Sequence, residues 1–494
     1  MLPQTHVDVL IVGAGFAGLG MAIELRKAGW ESFLVIEKGD DVGGTWRENR
    51  YPGCACDIPS HLYSFSFDLN AGWTRMYAPQ PEIWDYLRRC AKRYGVLGNI
   101  LFSTPLRDAV WEEAQGAWQV TVGEGMRITA RVLISGMGAL HVPQYPDLPG
   151  MERFAGPSFH SAAWDAQAVL DGKDVAVIGT GASAVQITPQ IASRTQRLYH
   201  FQRTPAWIIP KADFAIPKRW RRRFERVPLL MRAFRTLLFW NLEMRVGGFL
   251  GNRRLNRLGT KLALRHLETQ VRDPELRGHL TPSYQFGCKR VLISSDFYPA
   301  LQRPNVELVT QPITEVRERS IVTADGRERP LDAIIYATGF QATRLLDSAA
   351  IYGRGGISFG EGWQKRKAAL WGITKYGFPN LFLLLGPNTG LGHNSVVLMI
   401  EAQIRYVMSC LALMRRQQQQ VMELREEAEE RFEEFLRKRM PGSVWQAGGC
   451  RSWYQDPETG ENVALWPGSV REYQRRTRRV SARDYELRDG PRVN

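Results

Sequence analysis

Two short glycine-rich stretches carry the first chemistry legible in this 494-residue chain. Gly13-Ala14-Gly15-Phe16-Ala17-Gly18 closes one apolar run, and Gly179-Thr180-Gly181-Ala182-Ser183-Ala184 closes another. Both have the G-x-G-x-x-G/A spacing that aims a helix N-terminus at a pyrophosphate. Gly13 permits the tight turn, Gly15 lets the backbone approach phosphate, and Gly18 lets the helix lie close to the strand. Ala184 is the small-residue variant at that last place. The two units diverge 22 residues after the middle glycine, where the first has Glu37 and the second Arg203. A carboxylate there accepts hydrogen bonds from a free ribose 2′-OH, as in FAD or NAD. An arginine there offers a planar cationic fork to a 2′-phosphate. The pair therefore predicts FAD at the first turn and NADPH at the second.

Such turns need strands and helices at set places. Residues 7–12 read as a buried parallel strand, followed by a helix to about Ala28 that Gly29 ends, and a strand over 33–36. The second unit opens with a strand over 174–178 and has its next strand over 198–202. Residues 101–122 and 128–136 alternate as a small antiparallel excursion. Residues 332–336 and 379–385 read as further buried strands, with NTGLGHNSVV at 388–397 placing a helix N-terminus and an amphipathic helix over 423–440. Between about 213 and 282 the α/β pattern breaks into Arg-, Leu- and Phe-rich helical spacing. The expected fold is α/β, with two Rossmann-like dinucleotide-binding domains and a helical insertion in the second. The expected boundaries are 1–150 for the first part of the FAD domain and 151–340 for the NADP domain. Residues 341–494 would form the second part of the FAD domain and a lid loop.

Further motifs lie between and after the turns. Phe154-Ala-Gly156-Pro-Ser-Phe-His160-Ser-Ala-Ala-Trp164-Asp165 resembles the fingerprint of type I Baeyer–Villiger monooxygenases. Gly43-Gly44-Thr45-Trp46, continuing to Tyr51-Pro52-Gly53 and Asp57, resembles a second fingerprint of that family. The resemblance covers nearly the whole chain. It implies that Gly44, Thr45, Trp46, Tyr63 and Val396 line the flavin, that Asp57 lies near its reactive ring, and that the Leu106 backbone meets the adenine. It implies that Arg203, Thr204 and Lys289 hold the 2′-phosphate, that Arg290 is the catalytic arginine, and that Trp453 closes over the nicotinamide. His160 and Trp164 would support movement at the domain junction. The segment after Trp453, Gln455-Asp-Pro-Glu-Thr-Gly460, departs from the family's usual text.

Composition narrows the remaining classes. Hydrophobic content of 44% suits sizeable cores, and the length suits two or three domains. The six cysteines show no disulfide framework and no C-x-x-C, which predicts a reducing, cytoplasmic setting. No secretory signal or metal-ligand cluster is read. The longest near-apolar candidate for a membrane span, 229–250, is broken by charges. Net charge is +15, concentrated in KRWRRRFER at 218–226 and RRTRR at 475–479. A solvated face is the leading reading of these runs, peripheral contact with an anionic membrane the second, and nucleic acid is not expected.

The resemblance implies an NADPH- and O2-dependent FAD monooxygenase that converts ketones to esters or lactones through a C4a-peroxyflavin. Open-chain aliphatic or aryl-alkyl ketones are the expected substrates. An N- or S-oxygenase using the same flavin chemistry is the nearest alternative. A disulfide reductase would need a redox cysteine pair, and a non-catalytic flavin- or membrane-binding protein has only the basic insertion in its favour. Oligomeric state is not encoded in any motif.

Overall fold

The computed structural model describes residues 5–341 and 350–490. Residues 342–349, where the expected return to the first domain begins, and 491–494 lie outside the described residues. The chain starts with β1 (His6–Val12), α1 (Phe16–Lys27), β2 (Phe33–Ile36), α2 (Thr45–Glu48), α3 (Gln80–Arg93) and β3 (Ile100–Leu101). The antiparallel excursion follows as β4 (Leu106–Glu112), β5 (Ala117–Val122) and β6 (Met126–Ser135). The second unit has β7 (Ser158–His160), β8 (Asp174–Ile178), α4 (Ala182–Ile191), β9 (Arg197–Phe201) and the short β10 (Ile208–Ile209).

The insertion is helical, as its spacing predicts: α5 (Lys218–Arg226), α6 (Pro228–Glu243), α7 (Val246–Phe249), α8 (Arg253–Gln270) and α9 (Pro274–Leu280). Then come β11 (Leu292–Ile293), α10 (Phe297–Leu301), β12 (Val306–Val309), the antiparallel trio β13 (Ile313–Arg317), β14 (Ser320–Thr323) and β15 (Glu328–Pro330), and β16 (Ala333–Tyr336). The chain finishes with β17 (Ala350–Tyr352), α11 (Phe359–Lys365), β18 (Leu381–Leu383), α12 (Val396–Arg416), β19 (Val421–Leu424), α13 (Glu426–Arg439), α14 (Val444–Ala447), α15 (Val470–Arg476) and β20 (Tyr485–Arg488).

Two main sheets result. The first runs β17-β4-β5-β6-β1-β2-β3, with β18 also on β6; the second runs β12-β9-β8-β16-β7. In both, the central strands pair in parallel, so they are covered on both faces and read as near-continuous apolar runs. The glycine turns sit at the carboxyl ends of β1 and β8, where parallel sheets of this kind hold nucleotides. Helix α1 is buried on nearly every side because α12 packs across it; a Cβ on Gly20 would lie 2.9 Å from the Ile404 side chain. Helix α13 has Glu426, Glu427 and Glu429 in its first turn and Arg437, Lys438 and Arg439 in its last, complementing its dipole.

Two expectations need correcting. Helix α12, not 229–250, is the one described helix long and apolar enough to cross a membrane, yet 72% of that window is buried inside the protein. Its Glu401 and Arg405 hid it from a search for unbroken apolar runs. The second correction is a disulfide between Cys288 and Cys450. With the partners 162 positions apart in sequence, no local spacing could announce it.

Candidate active site

The first turn has room for a pyrophosphate and little else. Gly13 has φ +96°, and a Cβ there would meet Gly136 O at 2.8 Å. A Cβ on Gly18 would lie 1.8 Å from Gly13 O, so only hydrogen lets α1 start this close to β1. Gly44, at φ +50°, faces Gly15 so closely that its Cβ would lie 3.1 Å from the Gly15 Cα. Helix α1 has neither a side-chain cap nor an acid in its first turn. Its leading N–H groups suit an anion. The buried Glu37 carboxylate accepts from Ala14 N at 2.7 Å and Gly39 N at 2.8 Å, which sets it at the turn with lone pairs to spare for a ribose hydroxyl. Leu106 is brought to the same end, because Thr104 N donates to Glu37 O at 2.8 Å.

Trp46 and Tyr63 form one wall of the same region. Trp46 Nε1 donates to Tyr63 OH at 3.2 Å, and Phe16 packs edge-on against Tyr63 at 5.1 Å. Thr45 opens α2 and is exposed. Val396 opens α12, whose N-terminus lacks a side-chain cap.

The centre is an ion pair that joins distant stretches. Arg290 Nε and Nη2 donate to Asp57 Oδ2 at 3.0 and 2.5 Å, across 233 residues of sequence. Both side chains keep some exposure, 36% for Arg290 and 24% for Asp57, so the pair borders open space. The Asp57 charge, outweighing burial, pushes the Arg290 pKa up, which keeps the guanidinium charged at every working pH. Tyr454 completes this neighbourhood and was missed by sequence reasoning, although it adjoins Trp453. It is 1% exposed, its hydroxyl has no hydrogen-bond partner, and burial, opposed by the nearby Arg290 charge, pushes its pKa up to about 12. Trp453 is 43% exposed, with its ring 4.4 Å from that of Tyr454.

At the second turn, Gly179 has φ +133° and a Cβ there would meet Ala337 O at 2.2 Å, whereas a Cβ on Gly181 would meet nothing. That open cradle fronts the uncapped N-terminus of α4, which begins at Ala182; Ala184 is fully buried in the place of the third glycine. Thr180 Oγ1 donates to Thr204 O at 2.9 Å, fastening the turn to the Arg203–Thr204 segment. Burial first, and the Arg203 charge second, lower the Lys289 pKa, so two cations from separate segments converge here. The residues present thus fit a flavin dinucleotide at one turn and a 2′-phosphorylated dinucleotide at the other.

The two domains touch at the expected junction around His160 and also through Gln186, which the sequence did not signal. Tyr51 OH donates to Gln186 Oε1 at 3.0 Å, and Gln186 Nε2 donates to Ala55 O at 3.0 Å. His160 ends β7, fully buried, its Nδ1 accepting from Ala162 N at 3.1 Å while Nε2 has no partner. Phe340 and Tyr145 pack on its ring where the chain crosses between domains, and Trp164 packs edge-on against Phe159. From the insertion, buried Glu243 accepts from Asn394 Nδ2 at 2.9 Å and lies 3.4 Å from His393 Nε2, fixing the stretch before α12.

Cys54 and Cys56 are free and buried. Burial pushes the Cys54 thiol up to about 12, and burial with the Asp57 charge pushes that of Cys56 well above its ordinary value. Neither is a thiolate at neutral pH, so neither can run dithiol chemistry beside the first turn.

Known proteins resemble this chain along almost its full length. A family model described as "Pyridine nucleotide-disulphide oxidoreductase" matches residues 10–227. The chain is 47% identical over 486 residues to a Baeyer-Villiger monooxygenase of Pseudomonas aeruginosa, covering 98% of this chain and 92% of that one. The structure of cyclohexanone monooxygenase from Rhodococcus sp. Phi1 bound to NADP+ superposes with a TM-score of 0.89 at 27% identity, over 99% of this chain and 100% of that one. A structure of OTEMO in complex with FAD and NADP gives 0.86 at 29%, over 98% and 100%. Identity of this size along almost the full length of both sequences places the chain in the Baeyer–Villiger monooxygenases.

Proposed function

We propose that this enzyme uses NADPH and O2 to convert open-chain aliphatic or aryl-alkyl ketones to esters, with FAD at the first turn and NADPH at the second. The observation that carries the reading is the Arg290–Asp57 pair, a permanent cation beside the first turn. Bound flavin supplies the oxygen-activating redox chemistry. Arg290 offers fixed N–H donors to the oxyanion that develops as the ketone carbonyl is attacked. Asp57 orients that fork by occupying Nε and one Nη, which leaves the other Nη for substrate. Arg203 and Lys289 bind the 2′-phosphate, Trp453 excludes water above the nicotinamide, and His160 with Trp164 forms the junction on which the NADP domain moves. On this reading the domain boundaries are 1–150, 151–340 and 341–494.

Substrate preference rests on the residues 387–395, PNTGLGHNS, held by Glu243 through Asn394. The test is product analysis with NADPH over linear, cyclic and aryl ketones plus an organic sulfide. Esters from linear ketones with minor sulfoxide are expected. Sulfoxide or N-oxide as the dominant product, with ketones untouched, would favour the N- or S-oxygenase reading.

The second partner is an anionic bilayer surface met by the insertion. Of the nineteen large apolar side chains exposed among the described residues, eleven lie between Phe214 and Leu262, Leu229, Leu237 and Met244 most of all. Residues 214–267 hold fourteen Lys and Arg against two Glu. Apolar groups ringed by cations suit an acidic lipid headgroup layer. Co-sedimentation with phosphatidylglycerol vesicles but not phosphatidylcholine vesicles is expected, weakened by Leu237→Glu. A dimer that this variant splits would instead assign the face to self-association.

A further inference from the structure

The Cys288–Cys450 disulfide joins the two segments on which the proposed roles of Arg290 and Trp453 depend. Cys288 directly precedes Lys289 and Arg290, and Cys450 lies three residues before Trp453. Their Cα atoms are 6.1 Å apart. The surroundings are shaped to this contact. A Cβ on Gly448 would lie 2.6 Å from Cys288 Cβ and 2.8 Å from its Sγ, so only glycine leaves room for the bridge. Gln285 N donates to Gly448 O at 2.9 Å, and Cys288 N to Gln285 O at 3.0 Å, which brings the two backbones side by side. Cys288 is fully buried between Trp207 and Tyr284, while Cys450 is half-buried at the edge of that cluster. Beyond the bridge, Tyr454 packs in one cluster with Val291, the residue after Arg290.

We propose that this disulfide is a positioning device, and a thiol-reducible one: it anchors the 450–454 loop to the arginine segment, so that Trp453 and Tyr454 close in register with Arg290. The inference rests on the roles assigned above to Arg290 and Trp453. Without the bridge, the loop's hold near residue 450 reduces to the Gln285–Gly448 backbone bond and its packing, and its closure becomes less ordered. A dithiol can open it. A thiolate of the reagent attacks the half-buried Cys450 Sγ, Cys288 leaves as a thiolate and takes a proton, and the second reagent thiol then releases Cys450. One disulfide and one dithiol give two protein thiols and one oxidised reagent. The four other cysteines are buried and unpaired, so they offer no competing bridge.

The experiment has two stages. Thiols are first counted in protein purified without reductant and then denatured, before and after dithiothreitol; four and then six are expected, and six in both samples overturns the proposal. That count is independent of whether ketones are substrates, so its failure is distinct from failure of the proposed reaction. In the second stage, oxidised enzyme, dithiothreitol-treated enzyme and Cys450→Ser are compared in NADPH consumption, hydrogen peroxide release and ester yield. Loosening the loop is expected to raise the KM for NADPH and the fraction of NADPH lost to peroxide by about three- to tenfold, with the rate of flavin reduction at saturating NADPH nearly unchanged. Cys450→Ser must show the same defect and no further response to dithiothreitol. A bridge that is present but whose opening leaves coupling and KM as they were would sink the positioning role.

Discussion

At the scale of single residues, the proposed chemistry rests on the pair that Arg290 forms with Asp57. A guanidinium whose pKa is raised by a carboxylate neighbour keeps its charge, so its contribution should not titrate in the working range. Arg290→Ala is expected to bind FAD and accept hydride from NADPH yet release no ester, which stopped-flow absorbance and product analysis would separate. Ester formation at the normal rate would remove Arg290 from the mechanism. Arg290→Lys should recover little, because a point charge cannot hold Asp57 and substrate with one planar fork. At the second turn, Arg203→Ala removes a charge-assisted contact of roughly 1.5–3 kcal/mol, so KM for NADPH should rise about 10- to 100-fold while KM for NADH barely moves. An equal rise for both nucleotides would place Arg203 away from the 2′-phosphate. Arg203 and Glu37 were legible from spacing alone, since a strand, a turn and a helix of ordinary length leave one place for each. Tyr454 was not, because only packing put its hydroxyl near Arg290 without a partner.

At the scale of elements, the strand–turn–helix units tolerate no added bulk. Gly18→Ala would set a methyl 1.8 Å from Gly13 O. Helix α1 must then lift off β1, and the purified protein should be colourless; a yellow variant with normal FAD content would contradict this. Strand β9 adds a pH signature. His200 is fully buried on it, with Nδ1 at 3.0 Å from Thr188 Oγ1, and burial lowers its pKa to about 4. His61 is likewise lowered to about 4, by burial and then by the Arg235 charge. The unfolded chain protonates these rings near pH 6.5 and the folded chain only near 4, so the unfolded state binds more protons between those values. Stability therefore falls as pH drops through that window, by about 2 kcal/mol per histidine at pH 5. Urea midpoints at pH 7 and 5 should converge in His200→Gln; an unchanged gap would show that His200 titrates normally in the folded protein. Sequence periodicity located the insertion's helices but not which of their faces lies open, since that depends on what packs beneath them.

Across the whole molecule, the two dinucleotide domains meet through many polar links, among them those that Gln186 makes to Tyr51 and to Ala55 O. Gln186→Ala would leave the buried Tyr51 hydroxyl without that partner, a loss of about 1–3 kcal/mol. Flavin content should survive while hydride transfer from NADPH slows, because the proposed placement puts FAD within one domain and has the nicotinamide reach it from the other. Transfer at the native rate would mean that this contact does not set the domains' working arrangement. By itself the sequence determined the two glycine turns, the opposite charges that follow them at Glu37 and Arg203, the α/β alternation and the helical insertion. Those are properties of short stretches, and a backbone with two soft torsions per residue turns short-range spacing directly into geometry. Only the tertiary structure decided that Arg290 meets Asp57, that Cys288 finds Cys450, that Glu243 anchors Asn394, and that apolar α12 is core rather than membrane span. Each of those pairings spans well over a hundred residues, and the surroundings of α12 come from distant segments. A separation that long leaves no periodic trace; the packing of whole sheets and helices brings the partners together.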